Sequence, residues 1–535
     1  MTTLNLKRLD SRLWLLGPWR DLALFVLTPL WIIPLMWIAK ARFDVNSFGM
    51  AVLVLGGVGH HLPGFIRAYT DPVLFRRFRT RFILAPVFLI AVCVIFSVFH
   101  LQSLKLILLL WGAWHGAMQV NGFLRIYDAK AGSISPVTAW LDWAMCLFWF
   151  GGGMLHSSTR LIAVFSYFYN AGGPEIPPEA FILFRHAWDV FTVAITLAFG
   201  IHAWRQTRRG QAPSPVKFLL MASSFGFWWF AMVKVDNLLV GLVLFEIFHD
   251  VQYNTLVWIY NRRRVSQGMT ASAVERFLFQ PNAWRFGFYA LLVLGYGALG
   301  MVTDYASVQA PNALQVGTAG TLHFWTGIFI VSALLHFYFD GFIWQVREKE
   351  FRQGLGLGKG GVASAQTSVS PDFLKGLASN WKWAFFIIPV AFLGVSELRG
   401  KAMPVADQFQ NMARIIPESW QVNFALGLME RSNGDYAGAI EHCERAVAIN
   451  PDFEAAHAMV GDIYFHLGNQ EQALDHYAKA VSLDSTDYET QDHMGTLLLT
   501  QGRVIEAIPH LQVAATYQPN DTNLASLLKA ALMRR

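Results

Sequence analysis

The chain has 535 residues, 54% of them apolar and only 15% charged, against roughly 25% charged in an ordinary soluble protein. Its formal charge of +6 sits largely in arginine clusters between apolar runs, without the basic stripe and stacking aromatics of a nucleic-acid groove, so the balance points to a membrane and away from nucleic acid. Cysteine is limited to Cys93, Cys146 and Cys443 with no CxxC, which argues against thiolate zinc sites, iron-sulfur clusters and a disulfide framework.

Phe, Trp and Leu crowd the first 400 residues, while the last 120 or so have a soluble composition. The pattern predicts an all-α protein: a multi-span transmembrane domain over 1–400, a linker over 401–416 and a soluble helical domain over 417–535. The N-terminus has a charged lead and an apolar run with no small-residue cleavage site, and reads as a first anchor. A window of about 19 residues predicts eleven spans. They fall near 22–39, 50–69, 82–99, 104–126, 137–154, 181–203, 217–234, 238–260, 285–303, 321–345 and 383–397. An apolar patch at 161–170 falls in a loop, 171–180 reads as a Pro-rich outer loop, and 354–370 as a flexible Gly/Ser-rich cytoplasmic one.

Basic clusters at 76–81, 205–209, 262–264 and 347–352 each follow an even-numbered span. That predicts cytoplasmic loops and a cytoplasmic N-terminus in a plasma or inner membrane, and an odd span count sends the C-terminal domain to the outer side.

Within the eighth span, Glu246, His249, Asp250 and Tyr253 stand at i, i+3, i+4 and i+7, on one helix face. A charged side chain at the centre of a bilayer costs at least about 2.5–3.5 kcal/mol, so such residues face a bundle interior and mark a working site. His60 and His61 in the second span, His115 in the fourth and His336 in the tenth lie at similar depth in helices running the same way, which allows one layer of imidazoles. Asp340 follows His336 by four residues, and Gln119 follows His115 by four, where its amide can orient an imidazole or a water. Single histidines near span ends (His100, His156, His186, His202 and His323) read instead as interhelical hydrogen-bonding groups.

Glu246-x-x-His249 is the i, i+3 pair of carboxylate-bridged di-iron bundles. Imidazoles with carboxylates and no thiolate suit non-haem iron, one ion or two, with zinc or manganese as alternatives. The expected ligands are His60, His61, His115, Glu246, His249, His336 and Asp340, with Asp250, Gln119 and Tyr253 as proton-relay or orienting groups. Tyr253 and Tyr338 read as core or interface aromatics rather than as radical or acid/base residues.

Iron beside lipid points to oxygen-dependent attack on a lipid or other apolar small molecule. In carrying many histidines on helices near one membrane face, the chain resembles membrane fatty-acid desaturases, hydroxylases and carotenoid-cleaving oxygenases. It lacks the HxxxH and HxxHH boxes of the desaturases, and only the His60–His61 pair is similar. A ceramidase-like zinc hydrolase using three His and an Asp, and a transporter or anchored docking scaffold with polar intramembrane helices, are the alternatives. A glycosyltransferase with repeats is a third, but the first outer loop offers only Asp44 where those proteins carry an acidic pair.

Past Gln408 a 34-residue period appears: Gly427, Gly461 and Gly495; Gly434, Gly468 and Gly502; Ala439, Ala473 and Ala507; Ala446, Ala480 and Ala514. Pro451 and Pro519 close two of the units. This resembles the tetratricopeptide repeat, which implies paired antiparallel helices, a capping helix at the end and a docking surface for a protein or peptide. The six histidines of this region are scattered over the repeats and read as surface or packing residues.

Overall fold

The computed structural model describes residues 13–133, 135–269, 272–302, 324–344, 349–357 and 384–534. The charged N-terminal lead, His323, most of the Gly/Ser-rich loop and parts of the ninth, tenth and eleventh expected spans lie outside the described residues. The described chain is helical and divides into two units, one of residues 1–174 and 180–403, the other of 175–179 and 404–535.

The first unit opens with α1 (Pro18–Val26) and α2 (Thr28–Lys40), bent by 55° at their junction. Then come α3 (Val45–Thr70), α4 (Pro72–Val98), α5 (Ser103–Ala131), α6 (Pro136–Leu155) and α7 (Ser158–Asn170). After these run α8 (Pro178–Arg208), α9 (Pro215–Lys234), α10 (Leu238–Ser266), α11 (Ala273–Leu278), α12 (Ala283–Ala298) and α13 (Phe324–Ile343). The last two are α14 (Lys349–Gly354) and α15 (Ala384–Arg399).

Local chemistry sets the ends. Asp71 accepts from the backbone N–H groups of Val73 and Leu74 with Pro72 at the first helical position, Asn237 caps α10 through Val240 N–H (3.0 Å), and Gly132 ends α5 at φ +75°. The Glu397 side chain accepts from the N–H groups of Gln102 and Ser103 (2.5 and 3.0 Å), satisfying donors that a helix start leaves open.

Among the described residues α3, α4, α8 and α9 are long and apolar enough to cross a membrane, and α1 with α2 makes a fifth if the bent pair is one span. The count of eleven is not reproduced. The long helices α5 and α10 carry Lys105, Arg125, Asp128 and Lys130, and Glu246, Asp250 and three arginines, respectively. Helices α12 and α15 have 16 described residues each, short of the ~20 a bilayer needs. The patch at 161–170 is not a loop: it forms most of α7 and is buried, with Leu161, Ile162, Ala163, Phe165 and Tyr167 at 4% exposure or less.

Two apolar clusters hold this unit. One joins α1, α5, α9 and α10 through Phe25, Phe123, Trp228 and Phe248; the other joins α4 and α13 through Phe82, Phe96, Leu334 and Phe339. The first also encloses a charged knot. Fully buried Lys217 on α9 reaches Asp128 on α5 (2.7 Å) and Asp142 on α6 (2.6 Å), and Arg125 bridges the same two carboxylates (2.7 and 3.0 Å). Such a knot fixes three helices in register because each charge has no other place to go.

The second unit begins with α16 (Val405–Ile415), so the expected linker 401–416 is mostly a helix. Phe409, Met412 and Ile415 are buried there. Residues 175–179, expected in an outer loop, belong to this unit: Asn411 Nδ2 donates to Glu175 (3.0 Å) and to the Ile176 carbonyl (3.1 Å). Three helix pairs follow: α17 (Trp420–Ser432) with α18 (Tyr436–Ile449), α19 (Glu454–His466) with α20 (Gln470–Leu483), and α21 (Tyr488–Thr500) with α22 (Val504–Tyr517). Helix α23 (Thr522–Arg534) closes the stack.

The repeated positions have physical jobs. Gly434, Gly468 and Gly502 take φ of +81°, +79° and +76° at the turns between paired helices. A Cβ on Gly461 would lie 2.6 Å from the Tyr477 ring, so only glycine admits that helix approach. The six alanines in step are all fully buried.

Candidate metal centre

The site is built on a distortion in α3. Residues Leu53–Val58 make a π-helical stretch, and the widened turn delivers the consecutive residues His60 and His61 inward, each 2% exposed. The sequence signals it with Gly56, Gly57 and Gly59. A Cβ at Gly56 would lie 2.5 Å from Asp250 Oδ2, one at Gly57 2.9 Å from Glu246 Oε1, and one at Gly64 3.1 Å from the Tyr253 hydroxyl. The acidic face of α10 therefore lies directly on the glycine face of α3.

Four imidazoles from four helices meet there: His60 of α3, His115 of α5, His249 of α10 and His336 of α13. One nitrogen from each lies within 4.8 Å of the others. Ring centroids are 4.6 Å apart for His60–His336, 4.7 Å for His115–His336, 5.0 Å for His60–His249 and 5.1 Å for His115–His249. All four are buried, the most open at 7%. His60 Nε2, His115 Nε2 and both nitrogens of His336 have no hydrogen-bond partner among the described residues. Buried polar atoms without partners are costly, and in native proteins they call for an explanation.

The carboxylates surround this group. His60 Nδ1 is 2.8 Å from Asp250 Oδ1 and 3.6 Å from Glu246 Oε1, and these three residues form a second possible ligand group. Asp340 Oδ2 is 3.7 Å from His336 Nε2, while its Oδ1 accepts from the Tyr253 hydroxyl (3.2 Å) and from Trp344 Nε1 (3.0 Å). Tyr253 and Trp344 thus hold Asp340 in place.

Two expected residues stand elsewhere. His61 stacks on His336 at 4.7 Å, but its Nδ1 pairs with Ser332 Oγ (3.0 Å), which also meets the Tyr296 hydroxyl (2.8 Å), and it is outside the group of four. Gln119 does not reach an imidazole. Its amide donates to the His249 backbone carbonyl (3.0 Å) and to Gln252 Oε1 (3.4 Å), while Gln252 donates to the Phe25 carbonyl (2.7 Å), so the pair ties α5 to α10 and α10 to α1.

The donor set passes the elementary test for a metal. Imidazole nitrogens bind first-row metals at about 2.0–2.1 Å, so ligands across one ion stand about 4 Å apart, and the observed separations need only small side-chain rotations. His60 Nδ1 faces the Gly56 carbonyl (3.4 Å) and the Asp250 carboxylate (2.8 Å), which leaves Nε2 as the nitrogen for a metal.

A cavity of about 80 Å³ adjoins the centre, lined by His60, His115, Glu246 and His249 together with apolar side chains and Arg160. Sequence reading missed Arg160, since it precedes a run taken as a loop, and Ser332, whose role depends on a partner 271 residues away. Of the histidines expected to bond between helices, His156 pairs with Asp189 (2.8 Å) and His202 with Thr138 (2.9 Å). In the second unit His493 pairs with Asp462 (2.9 Å) and His457 with His476 (3.2 Å).

Comparison with known proteins bears on the second unit. Tetratricopeptide-repeat family models match residues 404–454 and 430–490. The chain is 26% identical over 136 residues to BBSome complex member BBS4 of Bos taurus, covering 25% of this chain and 26% of that protein. It is 26% identical over 120 residues to protein bimA of Emericella nidulans, covering 22% of this chain and 14% of that protein. The matched stretch is thus about a quarter or less of either relative's length. Similar solved structures include MamA (18% identity, 29% of this chain and 83% of that one, TM-score 0.21). A thermophilic TPR protein of Thermus thermophilus is another (19%, 34% and 88%, 0.21), as is YrrB, a TPR protein with an unusual peptide-binding site (16%, 30% and 92%, 0.21). The C-terminal part of the chain carries tetratricopeptide repeats, a module for binding protein or peptide partners.

Proposed function

We propose that the chain is an integral membrane metalloenzyme, a non-haem iron oxygenase, hydroxylase or desaturase acting on a lipid or other apolar molecule, with a partner docked on its repeats. The observation that carries this reading is the meeting of His60, His115, His249 and His336, buried, with their nitrogens within 4.8 Å and three of the rings holding unpartnered nitrogens. Interhelical hydrogen bonding would use those nitrogens; here they converge on one another.

In this reading the four imidazoles hold the ion, and Glu246 or Asp340 completes its shell. A bound iron supplies redox chemistry with dioxygen. Asp250 fixes the His60 tautomer, Tyr253 and Trp344 fix Asp340, and the apolar lining of the cavity excludes water and admits hydrocarbon. The unit would lie in a plasma or inner membrane, with the basic clusters in cytoplasmic loops and a cytoplasmic N-terminus, and an odd number of crossings would put the repeats on the outer side.

Metal analysis of the purified protein with oxygen-uptake measurements on lipid extracts tests the reading: iron with substrate-dependent uptake is expected. Zinc without oxygen uptake would favour the second reading, a hydrolase, which the predominance of imidazole donors also suits. A metal-free protein would defeat both.

A further inference from the structure

We infer that the cavity beside the histidine centre takes an apolar molecule headed by a carboxylate, and that Arg160 receives the carboxylate. This deepens the metalloenzyme reading by naming the substrate class of the same site. Arg160 is 3% exposed and lines the cavity. Its backbone N–H joins the cap at Ser157 Oγ (3.4 Å), but its guanidinium makes no hydrogen bond or ion pair among the described residues. Elsewhere in this unit Lys217 meets Asp128 and Asp142, Arg264 meets Asp71 and Glu275, and Arg67 lies against the Tyr260 and Trp344 rings at 4.3 and 4.1 Å, with its Nε and Nη1 unbonded among the described residues.

A guanidinium cannot escape its charge by losing a proton, and burying it unpaired is unfavourable. Its five donors form a fork that matches a carboxylate. An anion arriving from outside the chain supplies the missing partner.

The apolar lining of the cavity fits an acid with a hydrocarbon tail. Helix α7 packs through Ala163 and Tyr167 on Leu106 and Leu109 of α5 and Leu238 of α10, with Leu242 against them. Leu109 and Leu242 line the cavity. They precede His115 and His249 by six and seven residues, which is about 9–10 Å along a helix. Arg160 lines the same cavity as the histidines, and Leu109, Leu242 and Phe245 supply part of its apolar wall. A carboxylate on Arg160 would leave its chain against that apolar wall, inside the cavity that the histidines also line. One guanidinium balances one negative charge, which favours a carboxylate over a phosphate monoester.

The test uses the full-length protein in detergent with the fluorescent fatty acid cis-parinaric acid as probe, and laurate, methyl laurate and dodecyl phosphate as competitors. Saturable binding displaced by laurate, and at least about tenfold more weakly by methyl laurate and dodecyl phosphate, is expected. Arg160→Gln should weaken probe binding about tenfold or more and Arg160→Lys less, with metal content kept and thermal stability equal or higher, because the guanidinium holds nothing in the protein. Methyl laurate competing as well as laurate, dodecyl phosphate competing better, or unchanged affinity in Arg160→Gln would overturn the inference. The competitor series in the wild-type protein decides the matter even if the glutamine variant does not fold. A metal-free wild type that still needs Arg160 for acid binding would sink the metalloenzyme reading and leave the anion site standing.

Discussion

His60 Nδ1 lies 2.8 Å from Asp250 Oδ1, a contact that exists because Gly56 leaves room for the carboxylate: a Cβ there would fall 2.5 Å from Asp250 Oδ2. The carboxylate approaches Nδ1, and the buried Nε2 is left without a partner among the described residues. Removing such a supporting group typically lowers metal affinity 10- to 100-fold. Asp250→Asn is therefore expected to weaken metal retention by about that factor, read by competition with a chelator, and Gly56→Ala to do so at least as strongly. Retention equal to wild type in both would remove Asp250 from the centre.

How much of this was legible beforehand differs by region. The 34-residue period fixed the repeat unit because each of its glycines and alanines answers a local packing demand, as the buried Ala439, Ala473 and Ala507 show. Helical spacing alone put Glu246, His249, Asp250 and Tyr253 on one face of α10. In the sequence the meeting of His60 with His336 rests on depth alone, and the same depth puts His61 beside it; that His61 turns to Ser332 depends on α13, a contact no local spacing reveals. Arg160 and Ser332 carry no local signal: one lies in a helix too short for a span search, the other depends on contact with a distant helix. The eleven crossings that hydropathy predicts are not reproduced among the described residues, where four helices, or five with the bent pair, are long and apolar enough.

The knot around Lys217 predicts a large stability effect. Lys217→Met leaves Asp128 and Asp142 buried with Arg125 alone between them, and breaking a buried pair from one side costs about 3–5 kcal/mol. Denaturation in detergent should show the loss, with part of it recovered on adding Asp142→Asn. No change in the single variant would mean that the carboxylates find water or another cation.

In the repeat unit, Gly461→Ala places a methyl 2.6 Å from the ring of Tyr477, which is 2% exposed and donates through its hydroxyl to Asp462 (2.8 Å). Overpacking of this kind costs about 1–3 kcal/mol. The transition of the repeats in a chemical denaturant should move to lower concentration by a corresponding amount, while metal content stays unchanged.

Glu454, at the start of α19, gives the repeats a pH dependence. Burial, reinforced by the neighbouring Asp487 and Asp484, raises its carboxyl from 4.5 to about 7. Between those values the folded state holds a proton that the unfolded state has released, so stability falls as pH rises from about 4.5 to 7. Glu454→Gln should leave stability at pH 5 nearly unchanged and raise it at pH 8 by on the order of 1 kcal/mol, a figure kept low because water reaches part of the side chain. Equal effects at the two values would rule out the raised carboxyl.

The decisive measurement is metal content per chain, by elemental analysis of the wild type beside His115→Ala and His249→Ala purified identically. Stoichiometric metal in the wild type and its loss in both variants is the predicted result. Wild-type metal levels in both variants, or a wild type that binds none, would contradict a centre built from these four imidazoles.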